Sequence, residues 1–289
     1  DLYVEHGRLS RVTVKKERIH GKILSVTEDT VEIEGYGTIP LDENFYVYKL
    51  FGEFSVLGAA DILVGYDLQE FVAADGKLCA ALLERPFDAR TIRVLLMDTG
   101  FKNLFHKKAE LELNCDARLV CKNDDGDSKE STLKKGEVLT LTAEDERLKH
   151  GRMTIIPEKE EGITIRSLER AQGQPVYSGS LEIKKEEEGL VLINELYLED
   201  YLKKVVPSEM PASYEKEALK AQAVCARTYA YMQMKSNSYR SYGAQIDDST
   251  QFQVYNNVET DAKTTQAVQE TYGKMLYYDG NPVTAYYFS

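Results

Sequence analysis

One glutamate, Glu209, lies between two prolines in the run Val205-Val206-Pro207-Ser208-Glu209-Met210-Pro211. Proline fixes its own φ and restricts the residue before it. Pro207 is therefore expected to hold Val206 away from helical geometry, and Pro211 to do the same to Met210. That leaves Ser208, Glu209 and Met210 little backbone freedom, and a carboxylate mounted in that way can be aimed. Glycoside cleavage is a reaction that carboxylates alone can run: one protonated Asp or Glu gives its proton to the leaving oxygen, while a second group stabilises the oxocarbenium-like carbon or activates the nucleophile. The acid must keep its proton near neutral pH, and apolar neighbours such as Val205, Val206 and Met210 raise a carboxyl pKa by desolvation. On spacing alone, Glu209 serves equally well as a cap or bridge to the helix that follows.

Other side chains could join this chemistry. Asp247 and Asp248, in "AQIDDSTQFQVY", offer a second carboxylate or a substrate clamp, although aspartates at a helix-to-loop junction also simply form turns. Arg227 either pairs with a site carboxylate or lies with Lys216 and Lys220 on the polar strip of its helix. Tyr229, Tyr255, Tyr286 and Tyr287 present the apolar face and polar tip that stack on sugar rings, but with 19 tyrosines in the chain most must be ordinary packing. Cys225, among alanines, reads as a small inert hydrophobe.

The remaining motif classes are absent. His6, His20, His106 and His150 stand apart from any Ser, Cys or acidic motif, so a histidine-dependent nucleophile has no support. No zinc-ligand spacing occurs, no phosphate-cradling glycine loop occurs, and the four cysteines include no C-x-x-C pair. "KNDDGDSKES" has the composition of a calcium loop, but counting back from Gly126 puts Cys121 at the first ligand position and Thr132 where the bidentate Glu belongs, so a solvated turn is expected. A formal charge of -12, from 48 acidic against 36 basic residues, argues against nucleic acid or anionic lipid as the main partner. No stretch is apolar for long enough to span a bilayer, and no signal peptide is visible. The sequence starts at Asp1 without a methionine and is read as a fragment, any membrane anchor lying outside it.

Period-two alternation broken by Gly, Asp and Asn marks the elements that must hold these residues. Residues 1–90 ("RVTVKK", "GKILSV", "TVEIEG", "FYVYKL") predict a β-rich accessory domain, a barrel or sandwich. Residues 91–178 continue with "IRVLLM", "AELELN", "ARLVCK", "EVLTLT" and "RMTIIP", and 179–289 form the core, opening with a hairpin about Glu186 to Gly189. Leu198, Tyr201, Leu202 and Val205 fall at helical spacing, in a helix that Pro207 is expected to stop. Ser213 is the expected N-cap of a longer helix through about Met234, whose many alanines predict burial on nearly every side. A third helix is expected from Asp261 to Thr271, capped by Thr260 and stopped by Gly273, and Asp279-Gly280 predicts a hairpin turn. Strands first and helices later make an α+β fold of 289 residues, β-rich at the N-terminal side, with a buried alanine-rich helix in its core.

"LYLEDYLKKVVPSEMPASYEKEALKAQAVCARTYAY", followed by "STQFQVY" and "GKMLYYDGNPVTAYYFS", closely resembles the stage II sporulation protein D (SpoIID) family, which includes the amidase-enhancer proteins. The resemblance covers roughly Gly179 to Ser289, and "IRVLLM" resembles the start of the family domain. It implies a lytic transglycosylase that cuts peptidoglycan glycan strands between MurNAc and GlcNAc. Glu209 would protonate the bridging oxygen, and the muramic acid C6 hydroxyl would close onto C1 to leave a 1,6-anhydro end, so that one carboxylate acts as acid and then base. The candidate substrate-binding residues around it are Ser208, Arg227, Tyr229, Asp247, Asp248, Gln253, Tyr255 and Tyr287. Some relatives bind zinc through His and Cys in the segment matching "STQFQVY"; Gln251 and Phe252 stand here instead, so neither a structural zinc nor another cofactor is expected. The sequence also stops at "YYFS", where relatives continue. The implied partners are glycan strands and a cell-wall amidase, with no nucleic acid, at the cell envelope or outside the cell. Two rival readings are a non-catalytic glycan-binding module that stimulates an N-acetylmuramoyl-L-alanine amidase, and a hydrolase using Glu209 with Asp247 or Asp248.

Overall fold

Alternating burial shapes strands such as Thr30–Ile33 and Gln69–Ala74 in the N-terminal part of the chain. The computed structural model describes residues 2–122, 128–160 and 162–287, so half of the calcium-like stretch, Gly126 included, lies outside the described residues. Contacts divide the chain into Asp1–Asp88 and Ala89–Ser289. In the first unit a hairpin of β1 (Leu2–Glu5) and β2 (Arg8–Val12) precedes β3 (Glu17–Ile19), β4 (Ile23–Val26), β5 (Thr30–Ile33), β6 (Gly37–Lys49), β7 (Ser55–Leu57), β8 (Gln69–Ala74) and β9 (Lys77–Leu83). All but the hairpin join one sheet in the order β3-β8-β9-β6-β5-β4, with β7 paired to β6. Ile19, Ile23, Val31, Val47, Phe71 and Leu78, each from a different strand, meet in one core.

The second unit is built on β10 (Thr91–Leu96), β11 (Ala109–Leu113), β12 (Ala117–Lys122), β13 (Ser128–Leu133), β14 (Val138–Leu141), β15 (Arg152–Pro157), β16 (Ile163–Ile165), β17 (Val176–Tyr177), β18 (Ser180–Glu186), β19 (Gly189–Tyr197) and β20 (Ile246–Asp247). The larger sheet runs β13-β12-β15-β18-β19-β10-β20, antiparallel up to β10 and parallel at β20; the smaller runs β14-β11-β16-β17. Arg93 on β10 is buried and held by Glu195 from the adjacent strand β19 and by Glu182 from β18, one strand further on, which satisfies the charge inside the sheet.

Helix α1 (Leu198–Glu209) follows β19 directly, and α2 (Lys216–Ser236) and α3 (Ala262–Glu270) pack with it. A short hairpin of β21 (Tyr277–Tyr278) and β22 (Asn281–Pro282) comes last. Its turn residues Asp279 and Gly280 have φ of 51° and 77°, the paired positive values that a type I′ turn needs. The described chain is strand-rich with three α-helices, an α+β arrangement.

Three expectations about the helices are corrected. Pro207 does not stop α1: the helix continues through it to Glu209, and Val206 is helical. Proline's φ is already helical, and near the end of a helix it removes only one bond while the apolar stripe stays buried. Only the second half of the proline argument survives, since Met210 leaves the helix at φ -137°, ψ 121°, the extended geometry that Pro211 imposes. Glu215, not Ser213, is the N-cap of α2, and Asp261, not Thr260, caps α3 by accepting from the Lys263 N–H at 2.7 Å. Nor is α2 buried on nearly every side: Glu217 and Ala221 face solvent, whereas Arg227, expected on the polar strip, is buried.

Candidate functional site

Carrying the stripe of α1 past Pro207 shows how Glu209 is placed. Leu198, Leu202, Val205 and Glu209 fall at i, i+4, i+7 and i+11, which is one helix face. The first three are buried core residues, and Glu209 ends the same stripe half-buried. Its Oε1 accepts the Val254 backbone N–H at 3.0 Å, and no described residue bonds Oε2. Burial pushes the Glu209 carboxyl above its ordinary value, with the Val254 N–H pulling partly back. The C-terminal end of a helix, where unpaired carbonyls gather, also disfavours a negative charge.

Val254 is held from both sides. Gln253 is fully buried, and its Nε2 donates to the Ala226 carbonyl of α2 at 3.0 Å and to the Tyr287 hydroxyl at 2.8 Å. Tyr255 is buried as well and donates to Asn194 Oδ1 on β19 at 3.0 Å. Lys204, one turn back on α1 from Ser208, donates to the Val258 carbonyl at 3.2 Å. The irregular segment 253–258 is thus strapped to α1, α2 and the sheet, and residue 254 has little freedom to withdraw its N–H.

Tyrosines close the site. Tyr201, Tyr229 and Tyr287 all feel the Glu209 charge, and burial raises each phenol above its ordinary value. Tyr229 meets Tyr287 edge-on at 6.1 Å and Tyr286 at 5.9 Å. Tyr286 is 79% exposed, whereas Tyr229 and Tyr255 are buried and Tyr287 is half-buried, so Tyr286 is the ring among the four that is open to a sugar face. Two buried polar atoms here, Tyr201 Oη and Gln253 Oε1, have no partner among the described residues.

The other candidates are placed as follows. Ser208, beside Glu209, donates to the Lys204 carbonyl at 2.7 Å. Arg227 is not brought to Glu209: its guanidinium grips Glu199, in the first turn of α1, at 2.7 and 2.8 Å, and also bonds the carbonyls of Ala223, Val268 and Lys274. From residue 199 to residue 209 the helix rises about 15 Å. Asp247 accepts from the Tyr239 hydroxyl at 2.6 Å and from the Ser249 N–H at 2.7 Å. Asp248 accepts from Arg170 at 2.6 and 3.0 Å and from the Met97 N–H at 2.9 Å. Burial pushes Asp248 up to about 6 against the pull of Arg170, two nitrogens of which share its Oδ2. Both aspartates are buried and engaged by the protein itself. Among the described residues no three His, Cys, Asp or Glu side chains gather as a metal site; Phe252 packs against Tyr239 at 6.0 Å between ring centres.

Sequence reasoning overlooked Tyr201 and the Val254 N–H. The stripe that runs through Pro207 was the available signal for Tyr201, since it turns that residue and Glu209 towards the same interior. Nothing local signals Val254, which lies far along the chain from Glu209.

Residues 186–278, from the β18–β19 turn through all three helices to β21, match the family model of the stage II sporulation protein, SpoIID. The chain carries a SpoIID-family domain. The domain is similar to the "Amidase enhancer" of Bacillus subtilis, 47% identical over 88 residues, or 30% of this chain and 11% of that protein. It is also similar to "Stage II sporulation protein D" of B. subtilis, 41% identical over 111 residues, or 34% of this chain and 32% of that protein. An uncharacterized protein of Brachyspira hyodysenteriae is 36% identical over 134 residues, 46% of this chain and 34% of that protein. The chain therefore spans about a third or less of each of these relatives. The SpoIID match takes in Glu209, Val254 and their supports, while Tyr286 and Tyr287 lie beyond it.

Proposed function

We propose that this SpoIID domain is a peptidoglycan lytic transglycosylase with Glu209 as its single acid and base. The observation that carries the reading is the state of that carboxyl: it is half-buried and raised, Oε1 is pinned by the Val254 N–H, and Oε2 is left unbonded by the described residues. A proton held on Oε2 passes to the glycosidic oxygen as the bond from muramic acid C1 breaks. The C6 hydroxyl then forms a bond to C1 and returns its proton to Oε2. One proton leaves and one comes back, no water is consumed, and the product ends in a 1,6-anhydro ring. Pinning Oε1 fixes the direction of Oε2 in both half-steps. Tyr286, exposed at the rim, would stack on a glycan ring.

The engagement of Asp247 and Asp248 inside the protein speaks against the two-carboxylate hydrolase. Peptidoglycan stripped of its stem peptides is the substrate to test, with mass spectrometry of the products. Anhydromuramic ends that vanish in Glu209→Gln support the proposal; reducing ends would overturn it in favour of hydrolysis. The name of one relative, amidase enhancer, supports a second reading in which the domain binds glycan at the cell envelope and stimulates a cell-wall amidase. A Glu209→Gln protein that yields no anhydro ends yet stimulates a partner amidase as well as the wild type would select it.

A further inference from the structure

The first unit holds a cavity on the outer side of its sheet. Along β8, Phe71 and Ala73 are buried in the core and Val72 between them lines this outer space. At the same place two neighbouring strands lose register. Strands β6 and β9 pair Leu41 with Leu78 and next Tyr46 with Ala80, so residues 42–45 of β6 exceed what β9 can match. Strands β8 and β9 pair Val72 with Ala80 and next Ala73 with Leu78, which leaves Cys79 as an extra residue. Bulges bend a strand and re-aim its side chains. Here they leave Asp42, Asn44 and Cys79 lining one open cavity of about 720 Å³, bordered on the other side by Tyr3 of β1 and by Lys15.

The lining specifies a chemistry. Lys15 donates to the Cys79 sulfur, and this bond, aided by Asp42 and Tyr3, holds its amine above the ordinary value. Asp42 orders its own loop by accepting the Asn44 N–H at 3.0 Å. One lysine and one aspartate leave the lining near electrical balance, which suits an uncharged occupant. Tyr3 carries the Arg11 guanidinium on one ring face at 4.0 Å and Tyr48 stacks on Phe54 at 6.4 Å, so each offers the cavity one face at most, and Asp42 and Asn44 supply the acceptors and donors that hydroxyls need. The volume lies within the range of about 300–1,000 Å³ typical of ligand sites. The floor strands β8, β9 and β6 are interior to the sheet, so no open ladder edge invites a peptide strand.

We infer that this cavity is a saccharide-binding site, with Tyr3 and Tyr48 as stacking surfaces and Asp42 and Asn44 gripping ring hydroxyls. The inference stands whether or not Glu209 is catalytic.

The cysteines provide local reporters in the full chain. Cys79 lines the cavity, Cys225 lies within electrostatic reach of Tyr287 at the Glu209 site, and Cys121 on β12 serves as control. Alkylation by N-ethylmaleimide is followed at each cysteine by peptide mass spectrometry, with chitotetraose as the probe. At ten times its Kd the saccharide should slow labelling of Cys79 about tenfold and leave Cys121 unchanged. The surface variant Asp42→Ala should weaken this protection, and Ala80→Phe, which fills the floor, should remove it. An unchanged rate at Cys79, or protection that survives Ala80→Phe, overturns the inference. Protection at Cys225 alone also overturns it, by placing the saccharide only beside Glu209, while leaving the proposed function intact.

Discussion

A carboxyl at the C-terminal end of a helix, half removed from water, holds its proton more tightly folded than unfolded. At low pH both states are protonated and the site costs nothing. As pH rises past the ordinary carboxyl value the unfolded chain ionises first, so the folded state loses stability until its own higher pKa is passed. Glu209→Gln cannot ionise and escapes that loss. The melting temperature of the variant should therefore rise relative to wild type as pH climbs from below the ordinary carboxyl value to above it, the direction set by the raised folded pKa. A constant difference across that range would refute the shift. Activity should follow the same group: since the acid works protonated, the rate falls as pH rises through the folded pKa of Glu209. Tyr286 tests the substrate side. Its ring is exposed and touches no backbone machinery, so Tyr286→Ala should raise KM about twofold to tenfold, matching about 0.5–1.5 kcal/mol of stacking, with kcat little changed.

Among the elements, the three helices are joined through one buried guanidinium. Arg227 on α2 bonds Glu199 at the start of α1, the Val268 carbonyl of α3 and the Lys274 carbonyl beyond it. Removing it leaves Glu199 unpaired and two inter-element carbonyls without their donor. Arg227→Ala should cost about 3 kcal/mol, the lower end for a broken buried pair because Glu199 keeps some solvent, and lower the melting temperature by about 6–12 °C. Arg227→Lys should recover little, since an ammonium cannot form the bidentate fork. Thermal unfolding of both variants decides this, and a full recovery by lysine would show that charge alone is needed. Elements defined by local signals were legible in the sequence: the Asp279-Gly280 turn, the hairpin at Glu186–Gly189 and the stripe of α1 as far as Val205 all formed where expected. The end of α1 was misread because a local rule about proline was weighed without the burial that outweighs it. For the candidate site, the direction of the Glu209 pKa was legible in its apolar neighbours, but the partners of that carboxyl were not. Glu209 with Val254, Arg227 with Glu199 and Asp248 with Arg170 are contacts between distant segments, and spacing along the chain carries no record of them.

On the scale of the whole molecule, the two units have separate cores, and mutations can address them one at a time. Phe71, at the centre of the first core, is fully buried and packs among Ile19, Ile33, Val47 and Leu78. Phe71→Ala should cost about 3–5 kcal/mol, a large part of the roughly 5–15 kcal/mol that holds a domain folded. None of its core neighbours contributes to the Glu209 site, whose supports come from α1, α2, β19 and the segment 253–258. Calorimetry of Phe71→Ala should therefore move one unfolding transition down and leave a second in place, while Arg227→Ala should do the reverse. Short, soluble, peptide-free glycan fragments would still be processed by Phe71→Ala at the wild-type kcat at temperatures between its two transitions. Cys79 protection by chitotetraose would be lost under the same conditions. If both transitions move together, or if turnover disappears with the first, the two units fold and act as one, and the division of labour between a glycan-holding unit and a bond-breaking unit is refuted.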